Sequence, residues 1–136
     1  MFLTWVDLRR SDLRGADLQR AILNAADLRA SWLAEAKLNR SSLCDANLCG
    51  SRLDDANLTG ADLRGADLRD SVGLTAKQLS RAVLNEATRL PSELANDPWV
   101  VARLAACQAW RAQHGVREPP PPTPAPTLRA VEGRVT

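Results

Sequence analysis

The sequence has almost no net charge: 18 Lys and Arg against 16 Asp and Glu leave +2 over 136 residues. So small an excess is not the footprint of a nucleic-acid binder, and direct nucleic-acid contact is not expected. No apolar run approaches the length of a membrane span and no charged-then-apolar leader is visible, so cytoplasmic residence is the expectation. Histidine occurs once, as His114, which leaves the plentiful serines without a base to activate them. With no catalytic machinery in view, an enzyme is not expected, nor a cofactor. Cysteine occurs three times, an odd number without short disulfide spacing, which fits a reducing compartment. Cys44 and Cys49 are five apart, and Cys107 precedes His114 by seven; neither spacing favours a tetrahedral ion, so no metal site is expected and Cys44 and Cys49 read as surface thiols without function.

What the sequence does have is leucine in a fixed register. Leu3, Leu8, Leu13, Leu18, Leu23, Leu28, Leu33, Leu38, Leu43, Leu48, Leu53, Leu58, Leu63 and Leu68 follow one another at intervals of five. A straight helix would advance about 140° in five residues and a straight strand would alternate faces, so neither gathers these leucines. Two residues before each leucine from Leu13 onward stands Ala or Ser, from Ser11 through Ala66. Positions two apart share a face in extended chain, so the small residue and the leucine point inward with a polar residue between them pointing out. A turn must then reset the direction every five residues. Gly15, Gly50, Gly60 and Gly65 all fall at the same place, two residues after a repeat leucine, where a corner needs unusual φ.

The run of Ala-Asp/Asn-Leu-x-x units, as in "ADLQR", "ANLCG", "ANLTG" and "ADLRG", resembles the pentapeptide-repeat family over roughly residues 1–71. The resemblance implies a mainly β fold: a right-handed quadrilateral β-helix, a pentapeptide-repeat solenoid with four repeats per coil and about 3.5 coils. Its core would be Leu8, Leu13, Leu18, Leu23, Leu28, Leu33, Leu38, Leu43, Leu48, Leu53, Leu58, Leu63 and Leu68, with Ser31, Ser41, Ser51 and Ser71 standing in for alanine.

The expected organisation is a repeat region over 1–72, a helical cap and connector over 73–97, a C-terminal helix over 98–115 and a disordered Pro-rich tail over 116–136. In "GLTAKQLSRAVL", Thr75 and Gln78 form a capping-box pair, Leu74 and Leu79 take staple positions, and the spacing predicts a helix over about 76–84. In "NDPWVVARLAACQAWRAQHG", Asp97 is the expected N-cap, Pro98 the first-turn residue and Gly115 the stop. Val100, Leu104 and Cys107 line one side of this second helix, and Trp99, Arg103, Ala106 and Trp110 a neighbouring one. The tail, "VREPPPPTPAPTLRAVEGRVT", favours extended polyproline II and has no apolar face to bury; it reads as a linker or a peptide ligand.

Stacking residues twenty apart gives the outward columns. One carries Asp7, Asp27, Asn47 and Asp67 beside Arg9, Arg29, Cys49 and Arg69, a solvated mixed-charge face. Phe2 and Ile22 share another, with Trp5 at a corner beside them, and Trp32 lies on a third. Phe2, Trp5, Ile22, Trp32, Trp99 and Trp110 are therefore the candidate interaction surface. The functional expectation is a non-enzymatic protein-interaction or structural scaffold module with an unidentified protein partner. A homodimer through the C-terminal helix or the N-terminal coil is one form of it, and an uncovered first coil implies either a longer array or a partner at that end. The family's quinolone-resistance proteins, which mimic DNA and protect gyrase, supply one alternative, against which stand the leucine-only core, the short array and the missing acidic bias. A fragment of a larger signalling or membrane-associated protein is another.

Overall fold

The computed structural model describes residues 2–115 and 120–122. Over the repeats, each unit closes on itself with a turn, as in Ala26 N–H to the Leu23 carbonyl at 3.0 Å and Ala36 to Leu33 at 3.0 Å. The third residue of that turn has positive φ, as type II turns require. It does so at every fifth position from Trp5 (φ 65°) to Asp70 (φ 59°), whether the residue is Gly60, Ala30, Glu35 or Arg40.

The turns pile into layers. Single-residue parallel bridges link Phe2 to Ile22 to Ser42 to Asp62, Asp7 to Asp27 to Asn47 to Asp67, Asp12 to Trp32 to Arg52 to Val72, and Asp17 to Lys37 to Asn57. A bridge is held from both sides: between Asp7 and Asp27, Asp27 N–H donates to the Val6 carbonyl at 2.9 Å and Leu8 N–H to the Asp27 carbonyl at 2.8 Å. Corner amides add a further bond, as in Ala25 N–H to the Cys44 carbonyl at 2.8 Å.

The expected mainly β class, a quadrilateral β-helix, is corrected by these observations. The described residues contain two helices and no β-strand; the remainder is turn and loop carrying isolated bridges. The reason is the length of a side. One residue per repeat bridges its neighbours and the chain then enters the next turn, so successive residues never pair as a strand needs.

Inside the layers, the leucines from Leu18 to Leu68 are buried, together with Ala21, Ala26, Ala36, Ala46, Ala56, Ala61 and Ala66. Leu8 and Leu13, expected in the core, are only half-buried: they lie in the first layer, which a neighbouring layer covers from one direction alone, and of that layer's leucines only Leu18, at 7% exposure, is buried. Ser31, Ser41, Ser51 and Ser71 take the small inward position and are buried. Ser31 and Ser41 donate to the carbonyls of Leu28 and Leu38, each at 2.6 Å. The hydroxyls of Ser51 and Ser71 have no partner among the described residues.

The last layer is irregular. Helix α1, Ala76–Leu79, starts with a complete capping box: Thr75 Oγ1 accepts from Gln78 N–H, and the Gln78 side chain bonds back to Thr75 N–H at 2.7 Å. It ends at Leu79 rather than near Leu84, because the chain turns at Ser80 and Arg81 to bring Val83 into a bridge with Asp62. Gln78 Nε2 donates to the carbonyls of Leu53 and Ala56, each at 2.9 Å, and Thr88 Oγ1 to that of Leu63 at 2.8 Å. The Ala56 carbonyl is the one a further layer would have used, as Asn57 N–H uses that of Ala36; the Leu53 and Leu63 carbonyls also accept the turn N–H of Ala56 and Ala66. Helix α2, Pro98–His114, follows; Asp97 caps it by accepting from Trp99 N–H at 2.8 Å and Val100 N–H at 3.4 Å, and Gly115 ends it at φ 76°. It lies against α1 with Val100, Arg103 and Cys107 buried.

Candidate interaction surface

The triplet Asp-Leu-Arg, present in five of the fourteen repeats, gives the outer wall its recurrent charged unit. Aspartate at the bridging position turns Oδ1 toward the N–H two residues on, and where that residue is Arg the guanidinium folds back as a fork. In Asp7 and Arg9 the three contacts are 3.1, 2.9 and 2.8 Å. Asp12 and Arg14, Asp27 and Arg29, and Asp67 and Arg69 repeat this geometry. The Arg9 hydrogen bonds hold the Asp7 carboxyl down to about 2, and those of Arg14 hold Asp12 there too. Asp67 is also lowered, first by its bond from Arg69. Asn47 and Asn57 keep only the backbone part, accepting from Cys49 and Thr59 N–H at 3.1 Å each. Charge is therefore cancelled within each of these Asp and Arg repeats.

The side carrying Phe2 departs from this. Phe2 is 82% exposed and Trp5, at its left-handed corner, 79% exposed. Ile22, bridged to Phe2, is half-buried. Further along the same column the chemistry becomes polar: Ser42 donates to Asn24 Oδ1 at 2.5 Å, and Asp62 pairs with Arg64. Trp32 stands on a different side and is less open, 44% exposed, with the Arg14 and Arg52 guanidinium carbons 4.9 and 5.3 Å from its ring centre. The structure thus brings Phe2, Trp5 and Ile22 together and separates Trp32 from them. Trp99 and Trp110, both half-buried, belong to α2; Trp110 stacks on His114 at 3.8 Å.

No three His, Cys, Asp or Glu side chains among the described residues group as a metal site would. The three thiols are free; burial first, and then Asp62, raises Cys44, and burial likewise raises Cys49. No helix is long and apolar enough to cross a membrane among the described residues.

Beside α2 lies a second feature, a cleft of about 570 Å³ whose lining includes Arg40, Arg81, Arg111, Trp110, Pro120 and Pro122. Sequence reasoning did not find it. The available signal was Arg103, a charged residue three after Val100 and four before Cys107 on the helix side that turned out to be buried.

A family model described as pentapeptide repeats matches residues 3–40 and 31–70 in 8 copies. Among solved structures, a pentapeptide repeat protein from the thylakoid lumen of Arabidopsis thaliana is 24% identical, with 54% of each chain covered and a TM-score of 0.34. One from the cyanobacterium Cyanothece 51142 is 29% identical over 65% of this chain and 63% of that one, with a TM-score of 0.30. A third, from Nostoc PCC 7120, is 30% identical over 76% of this chain and 78% of that one, with a TM-score of 0.24. The chain thus spans less than two thirds of the length of the first two. A search of curated proteins gave no match.

Proposed function

We propose that this chain, which belongs to the pentapeptide-repeat family, binds a protein partner across the side that carries Phe2, Trp5 and Ile22. The family is one of non-catalytic scaffolds, so the surface rather than a reactive group is what the fold offers. One observation carries the reading: Asp and Arg pairs neutralise charge along the sides of Asp7 and Asp12, whereas this side presents Phe2 and Trp5 more than three quarters exposed. Large exposed apolar groups placed together are the mark of a contact site. The proposal includes cytoplasmic residence, supported by three cysteines that are all free thiols. Mimicry of DNA finds no support in the paired charges, since it needs an unneutralised acidic track.

Replacing both Phe2 and Trp5 with Lys tests the reading. Their outward placement predicts a change in unfolding stability within about 0.5 kcal/mol. Sedimentation across a concentration series reads binding to a second copy, and affinity capture with the wild-type chain reads binding to a different protein. Loss of one of these interactions in the double variant is expected; a variant that associates and captures as the wild type does refutes the proposal.

A further inference from the structure

Arg103 is fully buried on α2. A buried guanidinium is costly unless acceptors meet its donors, and desolvation here lowers its affinity for the proton. Its Nε donates to the Ala82 carbonyl at 2.6 Å, tying α2 to the last layer. Its Nη1 donates to the Pro121 carbonyl at 2.5 Å and its Nη2 to that of Pro120 at 3.5 Å. The expectation of a wholly free tail is thus corrected for Pro120–Pro122; residues 116–119 and 123–136 lie outside the described residues.

The acceptors suit the donor. Polyproline II makes no internal hydrogen bonds, so consecutive proline carbonyls stay available, and proline brings no N–H that would need burying. An Arg fork reaching two successive carbonyls, with an indole beside it, can read an extended proline-rich backbone. The wall beyond is basic: Arg40 and Arg81 line the cleft and make no ion pair among the described residues, while Arg111 faces Glu86 at 3.5 Å. In the sequence, an acidic residue, Glu118, directly precedes the four prolines.

We propose that the cleft beside α2 is a recognition site for an extended proline-rich segment with an acidic flank, and that the chain's own Pro120–Pro122 is its resident competitor. An external segment of this chemistry binds by displacing the internal one, so affinity in the wild type is set by how firmly the tail is seated.

The test uses the full chain with Pro120, Pro121 and Pro122 replaced by Gly, which keeps the backbone carbonyls but removes their preset extended conformation. The probe is a fluorescent peptide EPPPPTPAP, copied from residues 118–126. Anisotropy is expected to show the triple-Gly chain binding it about tenfold tighter than the wild type. A peptide with every proline replaced by alanine should lose that gain. Adding Arg40→Ser and Arg81→Ser, both at exposed positions, should weaken binding about threefold without moving the melting temperature. Equal affinity in the wild-type and triple-Gly chains, or no binding to either, overturns the proposal. A wild-type dimer that the triple-Gly change dissociates also overturns it, by assigning the seated segment to a second copy.

Discussion

Gly73 stands where the chain leaves the last regular repeat for α1, and replacing it with Ala measures how tightly that exit is packed. Its φ of 78° lies in the left-handed region, where a Cβ costs about 1 to 2 kcal/mol on its own. The added Cβ would also lie 1.3 Å from Asp54 Oδ1 and 2.4 Å from its Cγ, which a rotated carboxylate can relieve, and 3.0 Å from its Cα, which it cannot. Moving backbone in a packed layer adds about 1 to 3 kcal/mol, so Gly73→Ala is expected to cost about 2 to 5 kcal/mol in all. Gly50→Ala is the control: its φ is 68° but nothing lies within 4 Å of the new Cβ, so about 1 to 2 kcal/mol is expected. Urea unfolding followed by circular dichroism gives both values, provided the slopes with denaturant agree. The double change Asp54→Ala with Gly73→Ala should restore only the part due to the carboxylate. If Gly73→Ala loses no more than Gly50→Ala, the close approach of Asp54 does not hold in solution and the argument fails.

Leu48→Ala, in a fully enclosed layer, should cost about 2 to 5 kcal/mol, and Leu8→Ala distinctly less because Leu8 is half-buried; equal losses would contradict the one-sided cover of the first layer. Ser31→Ala should lose about 0.5 to 1.5 kcal/mol with its hydrogen bond to Leu28, whereas Ser51→Ala should be neutral or stabilising, since it removes a buried hydroxyl without a partner among the described residues; thermal melts that rank them the other way refute this. Asp7 and Asp12 are held at about 2, below the ordinary 3.8, so they stay ionised in the folded chain at pH values where the unfolded chain has bound protons. Their contribution is therefore present above about pH 4 and is lost as pH falls toward 2; the urea midpoint should drop over that window, less steeply in high salt, and a midpoint that rises on acidification would reverse the sign.

Much of this was legible because leucine recurs at intervals of five without a slip, and the alanine or serine two residues earlier fixed which positions face inward. Thr75 with Gln78, and Asp97 with Pro98 and Gly115, likewise marked helix starts and an end that the structure shows. The class was misread because extended sides were expected to be long enough to pair as strands, and a five-residue unit that spends its residues on a turn leaves one to bridge. The extent of α1 was misread for a related reason: helical spacing continues to Leu84, but the bridge of Val83 to Asp62 draws the chain away after Leu79. Of the candidate contact residues, Phe2 and Trp5 were readable as outward from register alone. Trp32 was not readable as held between two arginines, because Arg14 and Arg52 lie eighteen and twenty residues away in sequence. The buried role of Arg103 depends on Ala82 and on the tail, neither of which periodicity on α2 can reveal.

The bridges keep a separation of twenty residues from Phe2 to Val72, then lengthen to 21 between Asp62 and Val83 and to 22 between Asp67 and Arg89. A single inserted residue in the regular layers would rotate every later side chain out of step, exchanging leucines for aspartates at the interior. In the last layer the count has already been lost; one surplus residue is absorbed on the way through α1 and the buried Ser80, the other in the exposed turn at Glu86 and Ala87. The turn at Glu86 is accordingly where foreign sequence could be spliced in, or lineages could diverge in length, while the alignment of everything before it is left untouched.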